Sequence, residues 1–358
     1  VQALAKQLAG EPIAEGVIRI RSRIPLCGRY GAIELAGLER HPRLPGDTPG
    51  ESWRAIYLDT ETTGLSGGSG TLAFLLGSAW LTDEAIELEQ LLLTRFAAEA
   101  NLLATFTASL TADDRLISYN GKSYDLPLLV SRYRMQALSH PLTQLPHLDL
   151  LHPVRRLFGR CWPDCRLLTL EQRLLGFSRQ NDLPGAEAPA AWFEYLRHGN
   201  AHRLIRVVEH HRQDILSLTL AHSALGQAIE RPVAFGVDLT ALARWLSKSN
   251  PTAARQLLQA HGEDIDDGGK RLLARLARQS GNWRQAVRLW QELADKGCSD
   301  SLERLAKYHE HVSKDLAAAQ RYCERLPADE QNQQRRQRIG RKLAGRQKRL
   351  FELPSNIS

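Results

Sequence analysis

Asp59 and Glu61 form an Asp-x-Glu pair in the apolar stretch RAIYLDTETTG. Asp125 follows a second such stretch in LISYNGKSYDLPLL, and Asp214 lies in VVEHHRQDILSL, four residues after His210. Carboxylates delivered from separate stretches can hold divalent cations, because hard ions take oxygen ligands. Two such ions about 3.5–4 Å apart can clamp the attacking and leaving oxygens of a phosphodiester. An imidazole is the usual group for taking a proton from water near neutrality, and His210 stands one helical turn before Asp214. The order of acids therefore points to metal-dependent phosphodiester hydrolysis. Each part also has a plainer reading. An isolated Asp-x-Glu is commonly surface charge, and Asp125 ahead of Leu-Pro could be a helix cap. His210 and His211 point in different directions on one helix, while His147 and His152 have no motif around them and read as structural.

The elements that must position these residues can be read from periodicity. RAIYLDTET, TLAFLLGSAWL and AIELEQLLLTR read as three successive strands, which implies an antiparallel meander. Gly64, Gly67, Gly68 and Gly70 surround the first turn, where unusual dihedrals favour glycine. Asp59 and Glu61, two apart on a strand, leave on one face. AAEANLLATFTASL reads as a helix, RLISYN as a strand, and LPLLVSRYRMQAL as a helix entered at Pro127, whose missing N–H costs nothing in a first turn. HLDLLHPVRRLF reads as a strand end leading into a helix, and LTLEQRLLGF as a further helix. A Pro- and Gly-punctuated loop precedes HRLIRVVEHHRQDILSLTLAHSALG, a long amphipathic helix that puts His210 and Asp214 on one face.

This reading divides the chain into an N-terminal extension and linker (1–50), an α/β domain (51–222) and a helical, repeat-like region with a basic tail (223–358). Within the last, RLLARLARQSGNWRQAVRLWQEL and ERLAKYHEHVSKDLAAAQRYCERL align at an offset of thirty-three residues. The offset pairs Leu272 with Leu305, Ala286 with Ala319, Leu293 with Leu326, and Trp290 with Cys323. That period is close to the ~34 residues of tetratricopeptide hairpins. Eight cations between Arg335 and Arg349 could lie along a phosphate backbone or form a solvated helix face.

With 358 residues the chain exceeds what one core usually supports, and its +7 net charge favours an anionic partner. Five cysteines, an odd number, and the lack of a leader-like start lead to the expectation of reduced thiols and a cytoplasmic location. Cys161 and Cys165 in CWPDC lack a second ligand pair at zinc spacing, so packing is their expected role. No apolar run reaches the ~18–20 residues that span a bilayer, so no membrane partner is expected.

DTETTG, YNGKSYDLPLL and HHRQD resemble the three motifs of the ribonuclease-H-like DEDD exonucleases. The more specific resemblance is to the bacterial YprB-like (MrfB-like) group, through YNGKSYD, HPVRRLF, LTLEQRLLGF and LPGAEAPAAWFEYL, over roughly residues 50 to 220. That resemblance implies an α/β fold, a ribonuclease-H-like mixed sheet flanked by helices, followed by a small all-helical tetratricopeptide-like domain. It implies a 3′–5′ exonuclease using two Mg2+ or Mn2+ ions held by Asp59, Glu61, Asp125 and Asp214, with His210 as general base. It further implies DNA with a 3′ end as substrate, in DNA repair, with a repair helicase as partner. This chain departs from the wider superfamily by carrying His210 at the spacing used by its tyrosine branch, and His211 where the narrow group often has Asn. Lys122, Tyr119 and Asn120 stand behind the five main residues as possible phosphate or strand-end contacts. The alternatives are a 3′–5′ exoribonuclease of RNA processing and a non-catalytic partner-binding scaffold. The intact acids argue against the scaffold.

Overall fold

The structure, a computed structural model, describes residues 1–47, 53–64, 70–180 and 182–351. Gly67 and Gly68 lie outside the described residues. The chain forms two compact units, Val1–Asp238 and Leu239–Ser358.

The first unit opens with helix α1 (Gln2–Gln7) and strands β1 (Glu11–Ala14) and β2 (Val17–Pro25), followed by a small hairpin, β3 (Arg29–Tyr30) and β4 (Ile33–Glu34). The main sheet continues with β5 (Arg54–Thr62), β6 (Ala73–Leu81) and β7 (Ala85–Leu93). Helix α2 (Glu99–Ala108) then leads to β8 (Asp114–Ser118), α3 (Asp125–Met135) and β9 (His147–Asp149). Its strand order is β1-β2-β7-β6-β5-β8-β9. The expected meander is present, with β5, β6 and β7 antiparallel, while β8 and β9 join parallel to β5. This is a mixed α/β sheet of the ribonuclease-H-like kind.

Residues 11–25 are not a separate extension. β2 pairs with β7 from Val17↔Leu93 to Pro25↔Ala85, and its Val17, Ile18 and Ile20 are buried in the core, Ile18 and Ile20 on one face and Val17 on the other. Central β5 carries a continuous buried run, Ala55 to Leu58, as a strand covered on both faces should. Its parallel register on β8 starts at Arg54↔Asp114 and is pinned by a bidentate ion pair, Arg54 Nε to Asp114 Oδ1 at 2.7 Å and Nη2 to Oδ2 at 2.8 Å. Helices α4 (Leu151–Phe158), α5 (Leu167–Leu170) and α6 (Ala188–His198) follow. The unit closes with α7 (His202–Glu230), which lies on β5, β6 and β7. α7 runs unbroken past residue 222, so the division falls at Asp238/Leu239 instead of 222/223.

The second unit is a succession of helices: α8 (Leu239–Leu246), α9 (Pro251–Ala260), α10 (Asp267–Gln279), α11 (Trp283–Asp295), α12 (Ser299–His311), α13 (Leu316–Glu324) and α14 (Glu330–Phe351). α11 and α13 begin 33 residues apart, and all four residue pairs matched at that offset are buried. Asn250, Asp266, Asn282 and Asp315 each cap the helix that follows, accepting from a backbone N–H three residues on. In α14, Arg335 reaches Glu303, Arg336 donates to the carbonyls of Cys323 and Leu326, and Arg338 and Lys342 converge on buried Glu310. These four cations fasten the helix to its neighbours instead of forming a free basic face. The side chains of Arg346, Lys348 and Arg349 lie outside the described residues. Among the described residues no helix is long and apolar enough to cross a membrane.

Candidate metal centre

β5 ends at the mouth of a cleft of about 560 Å³, lined by all five residues singled out from the sequence: Asp59, Glu61, Asp125, His210 and Asp214. Asp125 arrives on the turn after β8. That turn is shaped by Asp149 at the end of β9, which is buried and accepts from the backbone N–H of Asn120 (2.7 Å), Lys122 (3.1 Å) and Leu151 (3.0 Å). Asn120 sits at φ 68°, a left-handed conformation that Asn tolerates better than most residues. Gly121 is required by close approach: a Cβ there would stand 2.5 Å from Ser118 Oγ and 3.1 Å from Asp125 Oδ2. Asp125 opens α3 without capping it; its Oδ1 instead accepts from the Thr60 hydroxyl on β5. A buried bidentate pair, Arg132 on α3 with Glu99 on α2 (2.6 Å twice), holds the helix that carries it.

Electrostatics sets these carboxyls apart. Burial, reinforced by Asp214 and Asp125, pushes Glu61 up to about 8. The same burial, with Asp214, Asp125 and Glu61 around it, raises Asp59 well above the usual carboxylate range, and burial likewise raises Asp125. Acids so crowded are destabilised when ionised and favour a nearby positive charge. Glu61, His210 and Asp214 each offer one ligand atom, all within 4.8 Å of one another, a three-residue cluster that could hold a metal ion. Two carboxylates and an imidazole, with Asp59 and Asp125 on the same cleft, make a donor set that fits a hard or borderline divalent cation.

A family model described as the RNase_H superfamily matches residues 56–225. The uncharacterized protein YprB of Bacillus subtilis (strain 168) is 31% identical over 290 residues, covering 76% of this chain and 69% of YprB. The chain belongs to the same family as YprB, and its residues 56–225 form a ribonuclease H superfamily domain. Among solved structures, the family B DNA polymerase of the hyperthermophilic archaeon Pyrobaculum calidifontis aligns over 74% of this chain at 14% identity with a TM-score of 0.39. The alignment spans about a third of that polymerase (34%), a likeness too loose to bear on activity.

In this ribonuclease H fold the side chains behind the cleft are hydrogen-bonded to residues in it. His211 is fully buried, and burial drives it down to about 3, so the ring is neutral. Its Nδ1 accepts from Gln90 Nε2 (2.9 Å), the same nitrogen that donates to Val208 O, and its Nε2–H donates to Asp59 O (3.2 Å). The residue next to His210 thus ties α7 to the backbone of the first acid. On the other face of α7, His210 Nδ1 lies 2.7 Å from Asp182 Oδ1, and its Nε2 lies 3.2 Å from Asp214 Oδ2. Arg179 Nη1 also lies 3.2 Å from Nδ1, so the His210 ring stands between two carboxylates and a guanidinium.

Arg179 closes the group. Its Nη2 meets Glu171 Oε1 and Asp214 Oδ1, both at 2.5 Å, and its Nη1 lies 3.2 Å from Asp182 Oδ2. Burial opposes its charge, but the Glu171 and Asp214 carboxylates outweigh that and raise its pKa. The sequence reading did not single out Arg179, Glu171, Asp182 or Asp149. Only Asp149 carried a usable signal, an acid ending a short apolar run as Asp59 does. His147 is structural as expected, its Nε2 2.7 Å from Ser118 Oγ. Cys161 and Cys165 are free thiols.

Proposed function

We propose that this chain is a metal-dependent 3′–5′ exonuclease acting on DNA, with Asp59, Glu61, Asp125 and Asp214 holding two Mg2+ or Mn2+ ions and His210 serving as general base. The observation that carries this reading is the meeting of four acids and one imidazole, from β5, α3 and α7, in a single cleft of a ribonuclease H fold. Divalent ions, when bound, would supply charge neutralisation of the phosphodiester and acidify a water. The chain's own groups do the rest. Asp59 and Glu61 present their carboxyls from the end of a rigid central strand, and Thr60 between them anchors Asp125. Arg179 holds one oxygen of Asp214 and leaves the other facing His210. His210 takes the proton of the attacking water at Nε2, and Asp182 behind Nδ1 stabilises the imidazolium that results.

The preference for DNA in repair, alongside a helicase, rests on the resemblance of YNGKSYD, HPVRRLF, LTLEQRLLGF and LPGAEAPAAWFEYL to the YprB-like group, and the tetratricopeptide character of the second unit on its 33-residue offset. The test is to offer the protein matched DNA and RNA strands labelled at either end, with magnesium, manganese or chelator. A ladder shortening DNA from its 3′ end, abolished by chelator, is expected. A ladder from the 5′ end, or digestion that survives chelation, refutes the proposal.

A further inference from the structure

The positive charge of this protein is not on its nuclease-like unit. Residues 1–238 carry 24 Lys and Arg against 26 Asp and Glu, whereas residues 239–358 carry 23 against 14. On the helical unit, a row of half-buried rings runs from α11 through α12 to α13. Trp283 lies 5.4 Å from Tyr308 between ring centroids, Tyr308 5.0 Å from His309, and His309 stacks on Tyr322 at 5.5 Å with a 10° interplanar angle. Arg284 and Arg288, one helical turn apart on α11, line a groove of about 790 Å³ with Tyr308 and the amides of Gln285 and Gln291. Arg321 is close enough to His309 to oppose the charging of that ring. Several cations of this unit are held in ion pairs, as Lys270, Lys296, Arg304 and Arg335 are. Arg284, Arg288 and Arg321 are exposed and make no ion pair among the described residues.

We infer that this face of the helical unit binds single-stranded nucleic acid, with bases stacking along the Tyr308 row and phosphates meeting Arg284, Arg288 and Arg321. Single strands are held by this combination, because every base has a face to stack and every linkage has a charge to neutralise. An acidic polypeptide could use the arginines but has no use for evenly spaced rings, and a duplex keeps its bases stacked on each other. The inference stands apart from the chemistry proposed for the cleft.

The test uses the full chain in chelator, so that no strand is cut, titrated with fluorescent oligothymidylate and oligouridylate over a range of salt. Arg284→Gln/Arg288→Gln/Arg321→Gln should bind more weakly and lower the slope of log affinity on log salt by about two, at ~0.7 for each phosphate no longer neutralised. Tyr308→Leu keeps an apolar group against its neighbours and should bind about tenfold more weakly because the bases lose their stacking platform. Preference for one oligonucleotide assigns the polymer, and equal affinity for both makes the face indifferent to it. An unchanged slope and affinity in the triple variant overturns the inference, as does displacement by polyglutamate or by duplex as effective as by the strand itself. Hydrolysis of the p-nitrophenyl ester of thymidine monophosphate, which engages the carboxylate cleft alone, should be unchanged in the arginine variants. With magnesium or manganese restored, absence of that hydrolysis in the unaltered protein would sink the nuclease reading and leave this one standing.

Discussion

Gly77 lies on β6 directly opposite Asp59 in the sheet, and α7 crosses it. A Cβ at this position would stand 2.0 Å from Ile215 Cδ1 and 2.5 Å from His211 Cε1. Carbon atoms in contact sit ~3.5–4.0 Å apart, so Gly77→Ala demands a displacement of more than an ångström from one of the two. Neither can yield freely. Ile215 is fully buried, and His211 is held at both ring nitrogens, by Gln90 and by Asp59 O. The helix must lift, and it carries His210 and Asp214. Overpacking of this kind costs about 1–3 kcal/mol of stability, and a misplacement near 1 Å at the reacting groups costs on the order of 10²-fold in rate. Ile215→Val removes the Cδ1 atom and should by itself cost about 0.5–1.5 kcal/mol. In the double variant that atom no longer meets the new methyl, so part of the Gly77→Ala loss should return. The assay is a double-mutant cycle, read in parallel by denaturant titration and by cleavage of a labelled strand. A Gly77→Ala protein with normal stability and rate, or additive single effects in the cycle, would refute the claim that this contact sets the seat of α7.

Other outcomes follow from the same geometry. Asp59→Ala and Asp214→Ala should each abolish metal-dependent cleavage while the protein stays folded by circular dichroism. His210→Ala should slow cleavage severely with metal binding, measured by calorimetry, largely retained. Glu61, raised to about 8 in the folded chain from 4.5, binds more protons folded than unfolded; its contribution to stability is full below pH ~4.5 and lost as pH rises toward 8. Metal-free protein should therefore lose stability across that window, and Glu61→Gln or saturating Mg2+ should flatten the loss in a denaturation series. Glu310→Ala leaves Arg338 and Lys342 without their shared partner, so limited proteolysis should cut α14 sooner than in the parent.

Asp59 and Glu61 were legible because they end an apolar run, Asp125 because it follows one, and Asp214 because it stands four residues after His210 on a helix. A strand covered on both faces has no other reason to finish on Asp-x-Glu, and Tyr57 and Leu58, both fully buried, lead straight into Asp59. The meander was legible for the same reason, since β5, β6 and β7 are each bounded by turn residues. The membership of residues 11–25 in the sheet was not, because GVIRIRSRIPL alternates as any surface strand would. Only its pairing with β7, where Arg21 and Arg23 face Glu89 and Glu87, shows that Val17 and Ile18 complete the core. The basic tail was open to reading as a phosphate track or a solvated face, and composition could not show that Arg335, Arg336 and Arg338 are spent on Glu303, two carbonyl oxygens and Glu310.

The charge network behind His210 was the least legible part, and the reason is geometric. Arg179 and Asp182 lie in a Pro- and Gly-punctuated segment with no period, and Glu171 lies eight residues before Arg179 on a widened, π-type helical turn. Nothing in one dimension links them to residues 210 and 214. Yet without a cation, buried Glu171 would be an uncompensated charge beside an already crowded set of carboxyls, which is strongly destabilising. A guanidinium meets that need better than an ammonium could, since its planar fork serves Glu171, Asp182 and Asp214 at once. The same fork fixes which oxygen of Asp214 remains for the cleft and keeps Asp182 against Nδ1 of His210. The residue that makes this acidic site foldable therefore also aims it, and a lysine at position 179 could satisfy the charge without reproducing the aim.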